Sequence, residues 1–364
     1  MSLRGISAAA PHPATARNHT RDVSSRLRSV PARRMIPPRH IPPAASQPPV
    51  CAGIASEVKV AAGVTSLTSG DGALWVSGFG SVSRLDPASD RLIAAIRAPG
   101  SDEYSRVAVG EGSVWVTSTS RGVVYRIDPS TDRVTATIHT GGPAQGIAVG
   151  GGRIWVTLVL PGPGKLIAID PRSNHVSGPP ITVGPGPGQV VYGQHAVWVQ
   201  NTSPASVMRI NPESGQITTV IGTATLSPGS PGPGAIAVGY RSLWSVANGA
   251  LTRLAPGGGR TIARIAIPRA VGIVLAEGEV WVLSYPRSSS PTLFEPIKHT
   301  AGVWAIDPHT DRTVRQPIRL HALQPIAFTT SEHGLWVADF PSTLTRFRLA
   351  SCHGHRRPAR RRIA

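Results

Sequence analysis

The sequence predicts an all-β fold, a seven-bladed β-propeller of four-stranded antiparallel blades. Three observations carry that expectation. Seven segments repeat a Gly-rich turn followed by a hydrophobic–Trp–hydrophobic strand, centred on Trp75, Trp115, Trp155, Trp198, Trp244, Trp281 and Trp336. Their spacings of 40, 40, 43, 46, 37 and 55 residues are close to the length of one propeller blade. The last unit lacks a fourth strand, and a spare strand stands before the first unit.

The chain divides into three parts. Residues 1–55 form a Pro/Arg/Ala-rich arm without hydrophobic periodicity, expected to be disordered because it has too little apolar surface to offset its ordering entropy. Residues 56–350 form the propeller, and residues 351–364 a second disordered basic tail. The net charge is +18, of which residues 1–50 contribute +7 and the tail +5, leaving +6 for the body. The basic ends fit either nucleic acid or an anionic membrane, or they are simply solvated. No stretch approaches the roughly 18 uninterrupted apolar residues of a membrane span, and the arm has no apolar signal-peptide core.

The cleanest unit defines the blade. Ser105–Val109 is a first strand, turned at Gly110-Glu111-Gly112 into Ser113–Thr117. Gly122–Ile127 is the third strand, and Asp128-Pro129-Ser130-Thr131-Asp132 turns it into Arg133–His139. Adjacent residues of a strand face opposite sides, yet Val114, Trp115 and Val116 are all apolar, so both faces are expected to be buried between neighbouring blades. A tryptophan at that fixed place packs the wedge between blades; a stacking site for a ligand is the less economical reading. Glu57–Ala61 is expected to serve as the outer strand of blade seven, closing the ring and removing its exposed sheet edges.

These residues resemble a known group. Gly146-Ile147-Ala148-Val149-Gly150 followed by Ile154-Trp155-Val156-Thr157, and Arg126-Ile127-Asp128-Pro129-Ser130-Thr131-Asp132-Arg133-Val134, look like YVTN-type propeller repeats, over about residues 57–349. The resemblance implies a seven-bladed propeller, commonly of bacterial surface or exported proteins, hence an extracytoplasmic setting. Streptogramin B lyase is a relative of that group. It implies a His/Glu/magnesium site near the axis, with repeats that often read Trp-Phe-Thr-Glu. Here the segments are Trp75-Val76-Ser77-Gly78, Trp115-Val116-Thr117-Ser118, Trp155-Val156-Thr157-Leu158 and Trp198-Val199-Gln200-Asn201, so the glutamate is missing.

The remaining chemistry is sparse. The Asp-Pro turns at Asp86, Asp128, Asp170 and Asp307, with Asn211 equivalent, fit Asx turns better than calcium loops, which need a central glycine and a distal glutamate. The histidines are scattered, and no GxSxG, phosphate loop or His-Glu-x-x-His motif is present. No cofactor and no metal is therefore expected.

Function is expected on loops. In the meander, the loops between strands two and three share a face with the loops between blades. The insertions at 158–164, 222–234 and 285–299 all fall there. Candidate residues on that face are Asp102, Glu103, Arg121, Asn201, Asn248, Tyr285, Arg287, Gln324 and Asp339. The expectation is a monomeric, non-catalytic module binding a protein or an extracellular ligand. The alternative is a lyase- or lactonase-like enzyme with a divalent metal at the channel mouth. Ring closure also brings Cys51 and Cys352 near one another, either as a disulfide or as two unrelated thiols.

Overall fold

The computed structural model describes residues 54–351 apart from 61–62, 204, 223–235, 248, 256, 258, 285–300, 321–324, 332–333 and 349, together with 39–41 and 50–51. The described residues contain no helix and form seven antiparallel meanders. Blade 1 is Ser66–Gly70, Ala73–Gly78, Ser81–Asp86 and Arg91–Arg97. Blade 2 is Val107–Gly110, Ser113–Ser118, Val123–Asp128 and Arg133–His139. Blade 3 is Ala144–Gly150, Arg153–Leu158, Pro163–Asp170 and His175–Pro185. Blade 4 is Pro187–Gly193, Ala196–Thr202, Ala205–Ile210 and Ile217–Gly222. Blade 5 is Ile236–Gly239, Ser242–Ala247, Ala250–Leu254 and Thr261–Ala266, against which Arg39–Ile41 pairs in parallel. Blade 6 is Ala270–Ala276, Glu279–Ser284 and Ala301–Asp307, with its fourth strand split into Arg312–Thr313 and Ile318–Leu320.

Blade 7 is built from both ends of the propeller. Pro325–Ser331, Gly334–Asp339 and Thr343–Phe347 are completed by Ile54–Lys59, with Val58 opposite Leu344. The spare strand is thus the closing strand. Arg346 of blade 7 also pairs with Asp90 of blade 1 at 2.7 Å. Just beyond the closure, Val50–Cys51 pairs antiparallel with Ala350–Ser351 and sets Cys51 opposite Ala350. Cys352, and with it the cysteine pairing, lies outside the described residues, as do residues 1–38 of the arm and 352–364 of the tail.

Burial explains the hydrophobic pattern. Every residue of Ala73–Gly78 and of Ser113–Ser118 is buried, because a second strand is covered by blades on both faces. The outermost strand Arg133–His139 instead alternates exposed with covered positions, as a rim strand should. Each tryptophan packs into the next blade: Trp75 joins Val107, Val116 and Tyr125 of blade 2, and Trp336 joins Leu67 and Val76 of blade 1. The seven residues are essentially inaccessible, which assigns them to packing and not to a stacking site.

The glycines before these strands have a steric reason. A Cβ on Gly70 would lie 2.7 Å from Val109 of blade 2, and one on Gly239 would lie 2.6 Å from Leu275 of blade 6. The glycine lets the innermost strands of adjacent blades approach. Its carbonyl also accepts the indole N–H five residues later, as in Trp115 Nε1 to Gly110 O at 3.0 Å.

A second layer holds the blades together at the short-turn side. An arginine guanidinium stands 5.1–5.9 Å from each of the seven indole rings. In five blades it comes from the residue directly across the strand: Arg84, Arg126, Arg209, Arg253 and Arg346. Several of these reach onward to the next blade. Arg84 pairs with Asp132 at 3.0 Å and Arg253 with Asp311 at 3.0 Å. The first residue of each Asp-Pro turn has a local role. Asp86, Asp128, Asp170, Asn211 and Asp307 each accept the backbone N–H two residues on, at 2.8–2.9 Å.

Candidate functional site on the long-loop face

The meander puts the loops between strands two and three on the same face as the connections between blades. Hydrogen bonds lace these loops together. Ala98 N donates to Gly80 O at 2.8 Å, and Thr140 N donates to Gly122 O at 2.9 Å. The best-built part of this face is the connection from blade 1 to blade 2. Ser118 Oγ and Ser120 Oγ both donate to Gly100 O, and Tyr125 Oη donates to Pro99 O, all within 2.6–2.8 Å.

Of the residues singled out in the sequence, three lie together here. Asp102 accepts from Tyr104 N at 3.1 Å, Ser105 Oγ at 3.3 Å and Ser120 N at 3.1 Å, so its carboxylate pins the loop to blade 2. Glu103 and Arg121 are exposed at the rim. Beside them Tyr104 is 48% exposed, and its hydroxyl is held above the usual phenol range, first by its hydrogen bond to Glu103 and then by that residue's charge. Asp339 ends the second strand of blade 7, opposite Pro325 and Thr343, and is half-buried. Asn201 is placed differently. It is fully buried inside blade 4, donating from Nδ2 to Ser206 Oγ at 3.3 Å, while its Oδ1 has no partner among the described residues. Asn248, Tyr285, Arg287 and Gln324 lie outside the described residues.

Sequence reasoning missed two features of this face. Arg106 immediately precedes the innermost strand of blade 2, and its Nη1 donates to Ser105 O at 2.9 Å and Glu103 O at 3.2 Å. Burial lowers its pKa, an effect that the charge of Asp102 partly offsets. Counting back nine residues from each tryptophan would have found it: the equivalents include Ser66, Gly146, Gln189, Gly272 and Ala327, none of them charged. The second feature is aromatic. Phe79 is 53% and Phe340 39% exposed, on the loops between strands two and three of blades 1 and 7. Gly63 joins them: its N–H donates to Pro341 O at 2.8 Å, and its Cα lies against the Phe79 ring. With Tyr104, the exposed rings run across three consecutive blades.

Among the described residues no three His, Cys, Asp or Glu side chains lie close enough together to hold a metal ion. A cavity of about 560 Å³ opens on the opposite, short-turn face beneath blades 2 and 3.

The fold defines a class, the seven-bladed β-propellers, that solved structures share widely. No family model matches the sequence, and no curated protein does. The chain is similar in structure to virginiamycin B lyase from Staphylococcus aureus, at 17% identity and a TM-score of 0.63, over 81% of this chain and 99% of that one. It is similar also to a chain of the mitotic checkpoint complex, at 12% identity and a TM-score of 0.65, over 85% and 96%. A third likeness is to hydrazine synthase from Kuenenia stuttgartiensis, at 14% identity and a TM-score of 0.61, over 81% and 99%. Identities this low show the fold alone, and the three proteins named do unlike things.

Proposed function

We propose that this protein is a non-catalytic binding module, a YVTN-type propeller of a bacterial exported or surface-associated protein. In this reading the long-loop face engages a partner protein or an extracellular ligand. The observation that carries it is the run of exposed rings, Phe79, Tyr104 and Phe340, on loops of three consecutive blades. Rigid aromatics on a braced scaffold, rimmed by Glu103 and Arg121, have the make-up of an interface centre: large apolar contact area with little side-chain entropy to lose, ringed by charges. The partner is read as unrelated to the basic ends, which add at most a charge-driven, salt-sensitive attraction to nucleic acid or anionic membrane.

The test is a triple variant, F79S/Y104S/F340S, compared with the native chain by cross-linking and affinity capture from the source cells. Because all three rings are exposed, the melting temperature is expected to hold while the captured species is lost. Capture that survives the triple variant would remove this face from the reading.

A second reading draws on Arg106, a half-buried cation just before the innermost strand of blade 2 whose guanidinium donates to the Ser105 and Glu103 carbonyls. Under it the channel mouth is a lyase- or lactonase-like site that uses a divalent metal. A rise in melting temperature on adding magnesium or manganese, abolished by a chelator, would favour that reading over the first.

A further inference from the structure

The ring of arginines on the short-turn side is not neutralised evenly. Arg84, Arg253 and Arg346 each meet an aspartate of the next blade, and in blade 6 Arg315 meets Glu279. Blade 2 departs from this. Arg126 reaches the same turn position in blade 3 but finds Asn174, whose neutral Oδ1 accepts at 2.9 Å, beside Pro171 O at 2.6 Å. Blade 3 departs further. The residue across from Trp155 is Ala168, and the guanidinium over that ring comes instead from Arg153 on the second strand, at 5.9 Å. Arg153 has no carboxylate partner among the described residues, and the blade 4 residue matching Asp132 is Gly215.

Arg126 and Arg153 both line a cavity of about 560 Å³. Arg172 and Ser177 also line it. The acids on its wall are Glu111, exposed on a tight turn, and Asp170, whose Oδ1 is engaged by Arg172 N at 2.8 Å. Three arginines and two acids therefore line the cleft, one acid already committed to its own turn.

We propose that this cleft binds a phosphate-type oxyanion, a phosphate or sulfate group, between Arg126 and Arg153. Arg126 Nε donates to Ser113 Oγ at 2.8 Å and its Nη1 to Pro171 O and Asn174 Oδ1, which leaves Nη2 for an anion, while Arg153 can offer its planar fork. Charge-assisted hydrogen bonds of this kind suit a tetrahedral oxyanion, and a partly enclosed cation without a counter-charge gains most from one. In blades 1, 5, 6 and 7 the corresponding arginine already holds an aspartate or glutamate that would repel such an anion. Arg209 of blade 4, which donates to Thr218 Oγ1 at 2.9 Å, is not among the residues lining the cleft. The inference is independent of the long-loop face.

The experiment titrates the full chain with inorganic phosphate, inorganic sulfate and O-phosphoserine by calorimetry at low ionic strength. Three variants accompany it. R153Q removes one fork. N174D installs the acid that other blades use, so it is expected to keep or raise the melting temperature while closing the site. R241Q alters an exposed arginine of blade 5 outside the cleft. The expected result is one saturable site in the native chain, weakened at least about tenfold in R153Q and in N174D and unchanged in R241Q. Tighter binding of O-phosphoserine than of phosphate would assign a phosphorylated ligand, and the reverse a free ion. Absence of saturable binding, or equal binding by the native chain and N174D, would overturn the proposal.

Discussion

Trp115 and Trp281 offer a matched pair that isolates one interaction of the blade repeat. Both are inaccessible, at 0% and 1%, and both carry an arginine over the ring, at 5.1 and 5.2 Å. They differ at the indole nitrogen. Trp115 Nε1 donates to Gly110 O at 3.0 Å, whereas Trp281 Nε1 is buried with no partner among the described residues. Replacing either by Phe removes similar ring area and leaves a similar void, so those costs largely cancel in the comparison. In W115F a hydrogen bond of about 1 kcal/mol is lost, while in W281F an orphaned donor costing about 1–3 kcal/mol is removed. W115F is therefore expected to be less stable than W281F by about 2–4 kcal/mol. In a propeller of this size that separates their melting temperatures by roughly 4–8 °C. Calorimetry gives the two temperatures, and guanidinium unfolding followed by circular dichroism checks that the slopes agree. Equal temperatures, or W281F as the less stable variant, would refute the reasoning.

Other expectations follow from the same architecture. Gly70→Ala and Gly239→Ala place a Cβ under 3 Å from Val109 or Leu275 and should each cost about 1–3 kcal/mol by overpacking, whereas Gly188→Ala meets nothing within 4 Å and should be close to neutral by thermal melting. Asp132→Ala breaks the pair with Arg84, both side chains being about a fifth exposed, at 20% and 24%. It should cost about 1 kcal/mol, and Asp132→Asn less, since Asn174 fills that place naturally. Asp128, Asp170 and Asp307 are held below the ordinary carboxyl value of 3.8, chiefly by the Ser130 hydroxyl, the Arg172 amide and the His309 amide respectively. A folded-state value below the unfolded one gives stability that is present above the unfolded value and lost as pH falls through the folded one. Melting temperature should thus decline below about pH 4, and less steeply in D128N/D170N/D307N, where Asn keeps the turn as Asn211 does. An unchanged acid slope in that variant would show that these turns do not govern it.

What the sequence determined by itself is whatever repeats. The tryptophan spacing set the number of blades. The apolar neighbours of each tryptophan marked a strand covered on both faces, and a spare strand at one end matched a missing one at the other. These are local patterns, legible because strand, turn and covered face each impose a period on nearby residues. The Asp-Pro turns were legible for the same reason, since the Asx bond spans two residues.

Only the tertiary structure decided which side chains meet between blades. Arg84 and Asp132 lie 48 residues apart, Arg253 and Asp311 58, and Arg346 and Asp90 256. Nothing in a local window links them. The same holds for the exposed rings of Phe79 and Phe340, neighbours only because the ring closes through Ile54–Lys59. Asn201 shows the converse. It is the penultimate residue of a strand whose loop was expected to face the channel mouth, yet its side chain is buried inside blade 4 against Ser206. The unmatched arginines under blades 2 and 3 belong to this second kind of information. Asn174 and Ala168 are unremarkable in sequence, and they acquire meaning only against the positions that other blades fill with Asp and Arg. A periodic sequence fixes the scaffold because each blade must solve the same packing problem. The places where one blade solves it differently become visible only when the blades stand side by side.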